Sequence, residues 1–78
     1  MMKHAKNRLD RRLQDFRIEI ITIKTWGWRI AKGGLNHHNF SINAGVSSQC
    51  LSLWLSGRVH PSKKNFGMVE GELDKMGV

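Results

Sequence analysis

Apolar side chains in the first half of the chain fall at Leu9, Leu13, Phe16, Ile20, Ile23 and Ile30, in steps of four and three that pass over only Gly27. That spacing predicts one face of a helix. Residues 17–25 carry a competing signal, since they hold four isoleucines and two threonines, and β-branched side chains of this kind favour a strand. Helix is the favoured reading of this segment, with strand as the alternative. Glycine weakens helix interiors and closes helix ends, so Gly27 and the Gly33-Gly34 pair are the natural breaks, and the first half ends near Lys32.

Shorter elements follow. Asn36 is suited to cap a helix on which Phe40 and Ala44 lie at i, i+4, and Gly45 stops it. Ser47 caps the next helix, where Leu51, Trp54 and Leu55 at i, i+3, i+4 face inward, and Gly57 and Pro61 end it. Ser62 caps a final helix with Phe66, Val69, Leu73 and Met76 on one stripe. Gly67 and Gly71 each cost that helix about 1 kcal/mol against alanine, so either it packs very closely on a neighbour there or it is marginal. The sum is an all-α domain of four to five short helices.

Seventy-eight residues make one domain, because two halves would each be too small to bury a self-supporting core. Residues 1–8 are basic with little to bury and read as a flexible arm, which leaves residues 9–78 as the domain. With 40% hydrophobic residues the chain is too apolar for wholesale disorder. Thirteen Lys and Arg against six Asp and Glu give a net charge of +7, which favours a polyanionic partner without choosing among DNA, RNA and anionic lipid. The single cysteine, Cys50, forms no internal disulfide, and no secretory signal is present, so a reducing cytoplasm fits best. No stretch approaches the roughly 20 apolar residues of a membrane span.

Catalysis finds no support in this sequence. Asp10, Asp15, Glu19, Glu70, Glu72 and Asp74 sit towards the two ends at solvent-type positions, and no serine has a base placed beside it by motif. His4, His37, His38, His60 and Cys50 lack any Cys-x-x-Cys or His-x-x-x-His pair, so neither a metal nor a cofactor is expected. Trp54 reads as core and Cys50 as a small buried filler. Trp26 and Trp28 read as core or dimer contacts rather than platforms for single strands.

Residues 36–57 have the layout of a helix-turn-helix: a capped short helix, a turn at Gly45 and a second helix bearing short polar side chains. Val46, Leu51 and Trp54 would fill the angle between these helices while small Ser41 lets them approach. The opposite face of the later helix, 47–56, then holds Ser47, Ser48, Gln49, Ser52, Leu53 and Ser56.

Several stretches together resemble the lambda-repressor-like family of phage repressors, Cro proteins and their bacterial relatives. They are Gly34-Leu35-Asn36, Phe40-Ser41, Ala44-Gly45-Val46-Ser47, the run from Leu51 to Arg58, and Pro61-Ser62 four residues beyond Gly57. The resemblance covers residues 34–78. It implies sequence-specific binding of double-stranded DNA, on a palindromic operator, by a transcriptional regulator of repressor type from a phage or mobile element. It carries base contact onto Ser48, Gln49 and Ser52, to which Leu53 on the same face is added as a base-contact candidate, and phosphate contact onto His37, Ser47, Ser56 and Arg58, to which Asn36 at the start of the same helix as His37 is added. Gln49 is the leading base reader, because a glutamine amide both gives and accepts a hydrogen bond with adenine.

The family often has glutamine at the position of His37 and commonly arginine or lysine at that of Leu53, and its first-helix spacing is one residue shorter at Gly33-Gly34. Leu53 is thus suited to a thymine methyl or to a subunit interface. One recognition helix reads only a few base pairs, so a homodimer on two half-sites is expected, with the Leu9–Ile23 seam as extra dimer surface. Two other classes compete. One is a protein-interaction module on the same fold, an antitoxin or regulatory partner, favoured by Leu53. The other is peripheral membrane binding by the basic amphipathic N-terminus, which leaves residues 34–62 unexplained.

Overall fold

The computed structural model describes the backbone of residues 2–78 and the side chains of residues 15–78. Among the described residues it is all-helical with no strand: α1 is Met2–Lys32, α2 His37–Ala44, α3 Ser48–Leu55 and α4 Lys63–Met76. The basic arm expected over residues 1–8, and the side chains of Leu9 and Leu13, lie outside the residues whose side chains are described.

α1 settles residues 17–25 as helix. The threonines that favoured a strand are accommodated within the turn, with Thr22 Oγ1 donating to the Ile18 carbonyl at 2.7 Å and Thr25 Oγ1 to the Thr22 carbonyl at 2.6 Å. Two sequence expectations are corrected here. The first helix is long rather than short, at 31 residues, and it runs through Gly27 without a break. Ile23, Trp26 and Ile30, on either side of that glycine, are all buried, and their packing outweighs the roughly 1 kcal/mol that glycine costs a helix interior.

The core gathers Ile23, Trp26 and Ile30 of α1 with Phe40 and Ala44 of α2, Leu51 and Trp54 of α3, and Val69 and Leu73 of α4. Leu35, Val46, Leu55, Phe66, Met76 and Val78 pack around it. Phe16, by contrast, is half-exposed at the far end of the α1 seam, and Trp28 is 58% exposed, so it is not core in this chain. Its ring has the Lys32 ammonium 5.8 Å away.

α1 and α4 are joined by a polar clamp that the sequence pattern missed. The fully buried Trp26 donates its indole N–H to Glu70 Oε1 at 3.1 Å, and Arg29 Nη1 reaches both Glu70 oxygens at 3.1 and 3.2 Å. Arg29 also donates through Nε and Nη2 to the Val78 carbonyl. Glu70 is therefore not a solvent position. An indole N–H inside a core needs an acceptor, and this carboxylate supplies it while pairing with Arg29.

All four helices stop the same way. After each, a glycine at positive φ (Gly34, Gly45, Gly57, Gly77) and the residue following it donate back to carbonyls of the last turn, a pair of hydrogen bonds that satisfies otherwise orphaned acceptors. The caps expected at the starts of α2, α3 and α4 are also in place. Asn36 Oδ1 accepts from Asn39 N at 2.8 Å, Ser47 Oγ from Cys50 N at 3.5 Å, and Ser62 Oγ from Asn65 N at 3.2 Å.

Candidate nucleic-acid interface

Between α2 and α3 the chain reverses over Gly45, Val46 and Ser47. Gly45 has φ 77°, and a Cβ built on it would stand 3.2 Å from the Met68 Cε of α4, so backbone and surroundings both favour glycine there. Val46 N bonds back to the Ser41 carbonyl at 2.9 Å, and half-buried Val46 packs on the core. Ser41 is 2% exposed and donates its hydroxyl to the His38 carbonyl. A small side chain thereby occupies the buried face of α2 without leaving a polar group unsatisfied.

Inward and outward faces of α3 separate cleanly. Leu51 and Trp54 are buried and Leu55 half-buried, whereas Ser48, Gln49, Ser52 and Leu53 are exposed. At 100° per residue, Gln49 and Leu53 fall near the centre of the outward face, with Ser52 and Ser56 beside them. Cys50 is exposed on the flank. The expectation that it fills the core is corrected, because Leu51 and Trp54 take the inward positions of this helix.

Asn36, His37, Ser47, Ser56 and Arg58 are all exposed, with Asn36 and His37 at the start of α2, Ser47 at the start of α3 and the other two at its end. Their hydrogen-bonding capacity differs. Asn36 uses its carbonyl oxygen as a cap and keeps an amide N–H pair; Ser47 uses an oxygen lone pair and keeps its hydroxyl proton. Ser56 instead donates its hydroxyl to the Leu53 carbonyl at 2.9 Å. Phosphate oxygens only accept, so Ser56 would have to give up that bond to reach one.

Charge around these elements is one-sided. No acidic residue occurs from 20 to 69, a stretch holding Lys24, Arg29, Lys32, Arg58, Lys63 and Lys64. The acids that bracket it are already engaged, Glu70 with Arg29 and Glu19 with His60 Nε2 at 2.8 Å. The second contact, with the Phe16 ring 4.8 Å from the imidazole, ties α1 to the segment that leaves α3. Lys63 and Lys64, exposed in the first turn of α4, were not singled out as phosphate candidates from the sequence. The Pro61-Ser62 cap placed them there.

Among the described residues, no three His, Cys, Asp or Glu side chains gather as a metal ion would require, and no helix is long and apolar enough to cross a membrane. The chain matches no family model, no curated protein and no solved structure. The resemblance to lambda-repressor-like proteins therefore stands on the residues quoted above.

Proposed function

We propose that this chain binds double-stranded DNA selectively, laying α3 in the major groove, and acts as a transcriptional regulator of repressor type from a phage or mobile element. The observation that supports it best is the outward face of α3: an eight-residue helix, capped by Ser47, held off α2 by Gly45, and presenting Ser48, Gln49, Ser52 and Leu53 to solvent. A helix of this size fits the major groove, whose base edges carry a donor and acceptor code that short polar side chains match. The acid-free stretch from 20 to 69 supplies the positive field that a phosphate backbone attracts.

In this reading Gln49 pairs with adenine, Ser48 and Ser52 add less selective base contacts, and Asn36, His37, Ser47 and Arg58 hold phosphates. The N-terminus of α2, where backbone N–H groups are free, adds to the grip around Asn36 and His37. Two copies on a palindrome give the specificity that one helix lacks. Such a protein works in the cytoplasm, where the DNA is.

Selection of bound duplexes from a random pool tests the reading. The parent chain should enrich a half-site, and Gln49→Ala should lose preference at one base pair by a factor corresponding to about 1–3 kcal/mol. Enrichment unaltered by Gln49→Ala would return the base contacts for reassignment. Leu53, 37% exposed in the middle of a polar face, favours a second reading in which this surface binds a protein, as an antitoxin or regulatory partner does. Failure to enrich any duplex would favour that one.

A further inference from the structure

α3 carries no charged side chain: its eight residues read Ser-Gln-Cys-Leu-Ser-Leu-Trp-Leu. In the major groove guanine presents two acceptors that arginine or lysine satisfies, and cytosine an amine that a carboxylate accepts from. Neither kind of partner stands on this helix. Its outward face offers instead one amide, Gln49, and one branched apolar group, Leu53, a turn apart on the same ridge and about 6 Å along the axis.

Leu53 takes no part in the core cluster or the residues packed on it. On the helix surface its neighbours at i−4, i−3, i+3 and i+4 are Gln49, Cys50, Ser56 and Gly57, all exposed. Ser56 is short and its hydroxyl turns back onto the Leu53 carbonyl, so the leucine, 37% exposed, offers an apolar patch beside Gln49 on the outward face. Among the base edges of the major groove, the apolar group is the C5 methyl of thymine.

Resting on the major-groove reading above, we propose that Leu53 is a specificity-determining residue that recognises the 5-methyl group of thymine. With Gln49 on adenine, the helix selects A·T pairs within one or two steps of each other, and it separates thymine from cytosine by a methyl group rather than by a hydrogen bond. Cytosine methylated at C5 becomes a partial substitute, because it carries the same apolar group at the same ring position.

The experiment uses the full chain and the duplexes it enriches from a random pool, resynthesised with deoxyuridine replacing one thymine at a time. At one thymine in each half-site, loss of the methyl should weaken binding about three- to five-fold, the effect of removing one buried apolar carbon. 5-Methylcytosine there should bind more tightly than cytosine. Leu53→Ala, at an exposed position, should keep its helical circular dichroism and bind thymine and uracil duplexes equally.

The deoxyuridine arm leaves the protein unchanged, so it can overturn the assignment even if the variant folds poorly. Enriched duplexes that tolerate deoxyuridine at every thymine overturn the assignment of Leu53 while leaving the DNA reading intact. A Leu53→Ala chain that still distinguishes thymine from uracil does the same. If no duplex is enriched, the DNA reading falls and takes this assignment with it.

Discussion

Gly45 meets two demands at once. Its φ of 77° lies where a Cβ crowds the following carbonyl, at about 1–2 kcal/mol, and the Met68 methyl stands 3.2 Å from where that Cβ would go. Gly57, at φ 79°, faces only open space. Gly45→Ala should therefore lower stability by about 1–2 kcal/mol plus whatever the Met68 side chain loses by moving, and Gly57→Ala by the backbone share alone. Chemical denaturation of the two variants compares them directly. Equal losses would mean that Met68 yields freely. At this scale the sequence was legible wherever the chemistry is local: Asn36, Ser47 and Ser62 cap as their side chains and positions imply, and Gly45 turns. Glu70 was not legible, because its partners Trp26 and Arg29 lie 44 and 41 residues away in the chain, beyond the reach of any spacing rule. Cys50 misled, and the core alternative for Trp28 fell, for a related reason: residue type suggests burial, but the helix face on which a residue falls decides it.

Among the elements, α4 resolves an ambiguity that its glycines left open. A Cβ built on Gly67 or Gly71 would meet nothing within 4 Å, so close packing does not explain them. α4 instead holds through Val69 and Leu73, both fully buried, and through the Glu70 clamp. Gly67→Ala and Gly71→Ala should each stabilise the protein by about 1 kcal/mol, read as a rise of about 4–8 °C in thermal midpoint for a domain of this size. No gain in either variant would point to a contact of this face with something outside the chain. α1 shows the converse. Its isoleucines and threonines argued for a strand by propensity, yet the 3.6-residue spacing of Ile20, Ile23 and Ile30 outweighed them, because buried area stabilises more than intrinsic preference does. Gly27 gave a false boundary for the same reason.

For the molecule as a whole, the proposed homodimer is the claim with the largest consequence, since one reading helix covers too few base pairs to find a site among many. Analytical ultracentrifugation of the full chain, free and with an enriched duplex, should show two copies per duplex. A monomer in both conditions would remove the dimer and leave α3 reading a single half-site. The fold class was legible because α2, α3 and α4 announce their starts and stops locally. The dimer surface was not, because nothing in one chain's spacing says which apolar groups, among Phe16, Ile18, Ile21 and Trp28, all exposed in the single chain, meet a second copy.

The fixed ends of α3 have one more implication. Ser47 sets where the helix begins and Gly57 where it stops, while Leu51 and Trp54 alone anchor it fully in the core. Positions 48, 49, 52 and 53 lie outside the core. They are free to drift under whatever their partner demands, and a lineage of such chains could acquire new targets by changing four side chains on an unchanged frame.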